Sequence, residues 1–463
     1  MSGQDLGLMR GYVLARLLKE FSRLGIIADD LTGANDTGAQ FAKYGLATVV
    51  SLDAIADERL FRAADVIVVN TDSRLSSPTE AYDRAKTAAE FLKAVGIRYL
   101  YKKVDSALRG NIGSEVDAVM DVFDFKVAFV VPAFPVHGRI TLNGHQLLQS
   151  KPLCETEIAA DPLSPVTESH IPTLLAAQSR RPVGHVDRRT VALGVSALRH
   201  TFDSLMSSGK EIIVVDAVTD KDLNDISQAI SELDCDFLSV GSAGLASELP
   251  SSLALVPHAH GTVRHTPHSG VIVVNGSMSR VAREQVEHAH RWLNLGIVRI
   301  DVDRILQTEE HDSKSIKEYV QEATTEIQKG YDIAVCLGAG SPTAQAMEQD
   351  EESAMEQTEI SRRIAHYLGL VVAEILRLHS PLGLVLTGGD TALAVCNSLG
   401  ASGIALSGEI MPGVPVGHLI DGRKPGLTVV TKAGSFGEAD TISRAVRYLH
   451  GLAVRSTPAQ LEG

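Results

Sequence analysis

The sequence predicts an α/β protein of two α/β domains, each with a largely parallel sheet. Three observations lead there. At 463 residues the chain exceeds what one hydrophobic core usually supports. Short apolar runs repeatedly end in small or acidic residues and pass into helical periodicity, the alternation of a parallel α/β sheet. That alternation breaks at PSSLALVPHAHGTVRHTPHSG, residues 250–270, and then restarts.

Taken in order, residues 1–23 read as a short amphipathic helix or a loosely attached extension, with a mis-assigned start as the alternative. A first domain over 24–250 follows. Its strands are expected at IIADDLTGANDTG (26–38), VIVVNTDSR (66–74), the run before KKVDSALRGNIG (102–113), VAFVVPAFP (127–135) and EIIVVDAVTD (211–220). Residues 251–270 read as a linker. Its histidines, His258, His260, His265 and His268, have neither periodicity nor partner carboxylates to suggest a metal site, so a solvated linker is expected. The second domain, 271–450, restarts with VIVVNGSMS (271–279), IVRID (297–301), DIAVCLGAG (332–340) and LVLTGGDTA (384–392), leaving 451–463 as a tail.

Composition narrows the function. Lys plus Arg total 43 against 57 Asp plus Glu, a net charge of −14, which argues against a nucleic-acid partner while leaving room for a local basic pocket. The four cysteines, Cys154, Cys235, Cys336 and Cys396, are far apart and form no CxxC pair, so a reducing cytoplasm is the expected compartment. The N-terminal stretch lacks the unbroken apolar centre of a secretory signal. No segment reaches the roughly 20 apolar residues of a membrane-spanning helix, so no membrane partner is expected.

Two groups of residues carry chemistry. In a parallel sheet, the positions just beyond the carboxyl ends of the strands form the rim where ligands bind. The first domain places Asp29 and Asp30 there, then Asn70, Asp72 and Arg74, then Lys102, Lys103, Asp105 and Arg109. Lysine and arginine suit a carboxylate or phosphate, whereas aspartates suit hydroxyls, so an anionic polyol satisfies both sets. One aspartate after a strand is also a common helix cap; a second would be repelled by the first, which favours function for the pair. Asp36 reads as an ordinary helix residue. The second domain offers glycine instead: LTGGDTA, SGEIMPGVPVG (407–417), VVTKAGSFG (429–437) and the strand-end Ser277 in VNGSMS. Such turns let backbone N–H groups and a helix N-terminus face phosphate. There is no GxxxxGK[ST], which excludes an ordinary P-loop, and no convincing GxGxxG, which weakens a dinucleotide dehydrogenase.

These motifs, jointly and in order, resemble the four-carbon acid sugar kinase family. IIADDLTGANDTG looks like its N-terminal signature, continued by NTDSR, KKVDSALRGNIG, PAFPVHGRITLNGH and DPLSPVTESHIP, with VNGSMS, LTGGDTA and TKAGSFG similar to its nucleotide-binding domain. The resemblance covers about residues 24–447. Two departures are the additional first 23 residues and Ala107, where threonine is expected. The resemblance implies an ATP-dependent kinase for threonate, erythronate or 3-oxo-tetronate, with phosphoryl transfer across a cleft between the two α/β domains. It implies that Asp30, Arg74, Lys102, Lys103, Val104, Asp105 and Arg109 bind the sugar acid, with Arg74 and the lysines meeting its carboxylate, and that Asp30 or Asp29 is the catalytic base. Ser277, Gly388, Gly389, Asp390, Thr391 and Gly434 would contact the nucleotide. Mg²⁺ is expected with ATP, held by water, phosphate oxygens and Asp390. A homodimer is compatible with the sequence, which leaves the oligomeric state open. The rival classes are a nicotinamide-dependent sugar-acid oxidoreductase and a non-catalytic sugar-acid sensor.

Overall fold

The computed structural model describes residues 24–53, 64–97, 99–161, 164–255, 270–307, 313–338 and 354–456. Residues 1–23 and the four linker histidines lie outside these residues. The chain divides into two compact units, residues 1–259 and 260–463.

The first unit is built on β1 (Leu24–Ala28), β2 (Thr48–Ser51), β3 (Val66–Asn70), β4 (Tyr99–Lys103), β5 (Val127–Val131), β6 (Arg139–Leu142), β7 (His145–Leu148), β8 (Lys151–Pro152), β9 (Val183–Val186), β10 (Ile212–Val215) and β11 (Phe237–Gly241). Its main sheet runs β2-β3-β1-β4-β11-β5-β10-β9, and all these pairs are parallel. β1 is buried throughout because helices cover both faces of such a sheet, which is why it reads as an uninterrupted apolar run. β11, the last strand in sequence, inserts between β4 and β5.

The strands β6, β7 and β8 form a separate antiparallel sheet. Its first turn is fixed by the buried Asp216, whose carboxylate accepts from the N–H groups of Asn143 (2.6 Å), Gly144 (2.9 Å) and Arg188 (3.0 Å). A bridge from Thr141 to Ala217 joins this small sheet to the segment just after β10. Arg139, at the start of β6, is thereby fixed beside the segment after β4. The unit continues past residue 250: Leu249–Ser252 is helical and Leu255 is buried.

The second unit contains β12 (Val271–Asn275), β13 (Gly296–Ile300), β14 (Ile333–Leu337), β15 (Gly383–Thr387), β16 (Gly403–Met411), β17 (Val414–Ile420) and β18 (Thr428–Lys432). The order is β13-β14-β12-β15-β18-β17-β16, parallel through β18 and antiparallel across β18, β17 and β16. Val273, Ala334, Val385 and Val430 meet in its core, and the terminal helix, Thr441–Ser456, extends beyond residue 450. Among the described residues, no helix is long and apolar enough to cross a membrane.

Candidate active site

The rim of the first unit is organised by Arg74. β1 lies between β3 and β4, with Ala28 in register with Asn70 and with Lys103, so the residues after these three strands meet at one edge. Arg74 Nε donates to Asp29 Oδ2 (2.7 Å) and Nη2 to Asp29 Oδ1 (3.0 Å). Its Nη1 donates to Asp30 Oδ2 (2.9 Å) and Nη2 also to Asp30 Oδ1 (2.7 Å). Four of the five guanidinium N–H donors are therefore engaged with the two aspartates. The expected repulsion between adjacent carboxylates is removed by one cation held between them.

The capping reading holds for Asp30. Asp30 caps the helix Leu31–Lys43, its Oδ1 accepting from Gly33 N at 2.9 Å. Asp30 Oδ2 has Arg74 as its only hydrogen-bond donor among the described residues and keeps a partly exposed edge. Asp29 is 3% exposed with both oxygens bound to Arg74. Burial would raise the Asp29 pKa, but Arg74, Lys102 and Lys103 outweigh it and hold the carboxyl below the usual range. Arg74 is correspondingly held well above its ordinary value: burial opposes this, and Asp29, Asp30 and Asp105 prevail.

The two lysines of β4 separate, as neighbours on a strand must. Lys102 is 0% exposed and pairs with Glu115 Oε2 at 2.8 Å, donating also to Lys103 O at 2.7 Å. Glu115 is buried on the helix Ile112–Phe123 and accepts from Ser73 Oγ at 2.5 Å; burial raises its pKa against the pull of Lys102. The Lys102 ammonium thus belongs to an interior ion pair. Lys103 points instead to the start of the helix Leu31–Lys43. Its Nζ lies 2.9 Å from where a Cβ on Gly33 would stand, and Asp30 Oδ1 lies 2.6 Å from the same point. Only glycine leaves that space, and among the described residues the Lys103 ammonium has no hydrogen-bond or ion-pair partner.

Val104 packs in the hydrophobic core, and only its backbone serves the rim, donating to Gly241 O at 2.9 Å. Asp105 accepts from Arg109 Nε (2.5 Å) and from Ala107 N (3.2 Å). Burial would raise its pKa, but Arg109, Arg74, Arg139 and Lys103 hold it well below the usual range. Arg109 also reaches Asp161 at 3.0 Å, and Asp105 raises its pKa. Leu108 sits at φ 61°, a conformation rare for a bulky side chain, in the tight turn between Asp105 and Arg109. Ala107, where the family resemblance leads to an expectation of threonine, is buried in that turn.

Arg139 was not singled out in the sequence, although it lies within PAFPVHGRITLNGH. Its Nη1 donates to Ser106 Oγ at 2.5 Å, while its buried Nε has no hydrogen-bond partner and no carboxylate pairs with it among the described residues. Arg74 also lines a cavity of about 330 Å³, together with Arg109, Asn111, Ser164, Thr167 and Glu168 among others. DPLSPVTESHIP supplies one wall of it.

The rim of the second unit has a different character. β12, β15 and β18 are adjacent and end in register at Asn275, Thr387 and Lys432. Gly388, φ +98°, turns the chain from β15 into the helix Gly389–Ser398 without a side-chain cap, leaving the first helical N–H groups facing outward. Gly389 is already helical, so the position that requires glycine for backbone reasons is Gly388. Asp390 stands exposed in the first turn of that helix, and Thr391 Oγ1 lies 2.2 Å from where a Cβ on Gly276 would stand. Ser277 packs directly against Gly434, where a Cβ would come within 2.2 Å of Ser277 Oγ. Ser279 Oγ closes the loop by donating to Gly434 O at 3.0 Å. Ser277, Gly388, Gly389, Asp390, Thr391 and Gly434 thus share one edge of this unit.

Paired acids and bases on one rim suit a polyol acid, and an open helix start with close-packed glycines on the other suits phosphate, the combination expected of a small-molecule phosphotransferase. Residues 24–249 match the sugar-binding N-terminal domain and residues 272–442 the nucleotide-binding C-terminal domain. D-threonate kinase of Salmonella typhimurium is 37% identical over 92% of this chain and 97% of its own length. D-erythronate kinase of Heliobacterium modesticaldum is 33% identical over 92% and 97%, and 3-oxo-tetronate kinase of Methylobacterium radiotolerans 32% over 91% and 98%. A crystal structure from Salmonella typhimurium LT2 superposes with a TM-score of 0.75 at 25% identity, covering 92% of this chain and 99% of that one. The chain belongs to the four-carbon acid sugar kinase family.

Proposed function

We propose that this enzyme transfers the ATP γ-phosphate to the terminal, 4-hydroxyl of a four-carbon aldonic acid, with D-threonate the first substrate and D-erythronate the next. The choice of D-threonate is supported by the 37% identity to the Salmonella typhimurium D-threonate kinase. The observation that carries the chemistry is Asp30, whose Oδ2 keeps an acceptor site at the partly exposed edge of the rim. Arg74 donates to both oxygens of each aspartate, so exposure decides between them: Asp29 is buried, whereas Asp30 keeps a partly exposed edge and is the better base. Asp30 accepts a hydrogen bond from the terminal hydroxyl and takes its proton as the phosphoryl group transfers; positioning and charge neutralisation provide most of the remaining acceleration.

Arg74 holds Asp30 in place and has one N–H left for substrate. The substrate carboxylate then falls to cations without a carboxylate of their own, Lys103 and Arg139, rather than to Lys102, which Glu115 neutralises. Val104, Asp105 and Arg109 shape the turn below. On the nucleotide side, no group of three or more metal-binding side chains occurs among the described residues. Mg²⁺ brought in with ATP keeps most of its water and binds through phosphate oxygens and one or two carboxylates. Asp390 is the carboxylate that would hold it, and the ion would neutralise developing phosphate charge.

The test is ADP release over D-threonate, D-erythronate and 3-oxo-tetronate, followed by phosphorus NMR of the product. Phosphate coupled to methylene protons supports the 4-hydroxyl. Coupling to a single methine proton would reverse the substrate and overturn the residue roles.

A further inference from the structure

The last residues of β12, β15 and β18 form a polar row that no sugar-acid chemistry requires. Asn275, Thr387 and Lys432 are register partners across three adjacent strands, so their side chains stand on one face of the sheet. All three are buried, at 2%, 0% and 1% exposed, at the end of strands otherwise filled with Val, Ile and Leu. Asn275 is engaged, its Oδ1 accepting from Ser277 N at 3.2 Å. Among the described residues Thr387 Oγ1 has no hydrogen-bond partner. The Lys432 ammonium has only carbonyl oxygens, Ala433 O at 2.7 Å and Gly434 O at 3.4 Å, and no carboxylate partner among the described residues. A buried ammonium without a counter-charge is costly, and such charges are ordinarily paired. Here burial alone brings the pKa down to about 7.

The missing charge has an evident direction. Thr387 immediately precedes Gly388 and the open N-terminus of Gly389–Ser398, and Gly388 N donates to Lys432 O at 2.9 Å. Lys432 also folds over the Ala433 and Gly434 carbonyls, next to Ser277. An anion at this helix start would meet backbone N–H groups, the unpartnered Thr387 hydroxyl and the Lys432 ammonium together. We propose that Lys432, with Thr387, is the cationic anchor for the nucleotide's phosphates, completed by the ligand rather than by any side chain of the protein. The inference rests on the nucleotide-binding assignment of this unit and adds two positioning residues to it.

Lys432→Met tests it, because the apolar side chain fills similar space and removes an unpaired buried charge. Titration calorimetry with ATP should show wild-type binding and a loss of about 100-fold or more in Lys432→Met, the scale for removing one partner of a charge-assisted contact. Inorganic tripolyphosphate, which presents phosphates without the base, should raise the wild-type melting temperature and leave that of Lys432→Met unmoved. The ligand-free variant should melt at or above wild type. ATP affinity within about threefold of wild type overturns the proposal, as does a ligand-free variant melting well below wild type, which would make Lys432 structural. Absence of any ATP binding in wild type would instead defeat the nucleotide assignment, and the proposal with it.

Discussion

The two units place their sites at the same location, beyond the carboxyl ends of parallel strands, and prepare them in opposite ways. In the first unit most of the rim charges are neutralised from within, Arg74 by Asp29 and Asp30, Lys102 by Glu115, Arg109 by Asp105 and Asp161, and among the described residues only Lys103 and Arg139 stand without a carboxylate. In the second, a buried lysine and a buried threonine hydroxyl stand in line with no charged partner among the described residues. The difference teaches how each site resists deletion. A neutralised network makes each member necessary to the others, whereas an incomplete one is most stable when its own charge is removed and binds best when it is kept.

The largest test is Arg74→Ala. It leaves Asp29 buried without its main counter-charge, so we expect about 3–5 kcal/mol of destabilisation, read as a lower urea midpoint. Sugar-acid affinity should fall while ATP affinity stays close to wild type. An unchanged midpoint would break the contrast, since the first rim would then not depend on its internal pairing.

Asp30→Asn sharpens it by separating stability from chemistry. Asparagine caps a helix as well as aspartate does and can still accept from Gly33 N, so stability should change by less than about 1 kcal/mol beyond the lost charge on Arg74. Turnover should drop by about 10²–10⁴, the usual contribution of a general base. Near-normal turnover would transfer the role of base elsewhere.

Gly388→Val acts on the other rim. Placing a β-branched residue at φ +98° costs roughly 1–3 kcal/mol and crowds the helix start. ATP affinity should be lost while the first unit still binds sugar acid; unchanged ATP affinity in a folded variant would remove this turn from the site.

The smallest effect is in pH. Lys432 titrates near 7 in the folded chain against 10.5 ordinarily, because burial disfavours its charge. Between these values the unfolded chain holds a proton that the folded chain lacks, so ligand-free stability rises with pH, by at most about 1.4 kcal/mol per unit. ATP favours the protonated lysine, so its affinity should fall over the same interval. In the first unit the sign differs: Asp29 and Asp105 sit below 3.8, and their contribution is present above that value and lost as pH falls through the folded values. Denaturation of wild type and Lys432→Met at pH 7, 8 and 9 isolates the lysine; identical slopes would show that it carries no such shift.

What the sequence disclosed and what it hid divide along physical lines. Strand ends were readable because strands buried on both faces are apolar until they stop, as VIVVN does at both Asn70 and Asn275. The paired aspartates were readable by type, but not Arg74 as the cation between them, because that depends on β1 lying between β3 and β4. Lys102 and Lys103 looked equivalent; the alternation of a strand and the buried Glu115 distinguish them. Lys432 was hidden by its company, since one lysine in a glycine-rich loop reads as a solvated surface charge. Arg139 depended on where Asp216 secures the small sheet, a contact between residues some seventy positions apart.

The insertion of β11 between β4 and β5 sets an order of assembly during synthesis. Until Phe237–Gly241 has left the ribosome, β4 and β5 have no shared neighbour, and each presents an unpaired edge to its surroundings. Val104 N has no Gly241 carbonyl to bind, nor Tyr101 its Ser242 carbonyl at 2.5 Å, so the segment carrying Lys103 and Asp105 cannot settle. A nascent chain arrested before residue 237 should therefore carry every acidic and basic group of the first rim and still lack a sugar-acid site, leaving two sticky edges for a chaperone to cover.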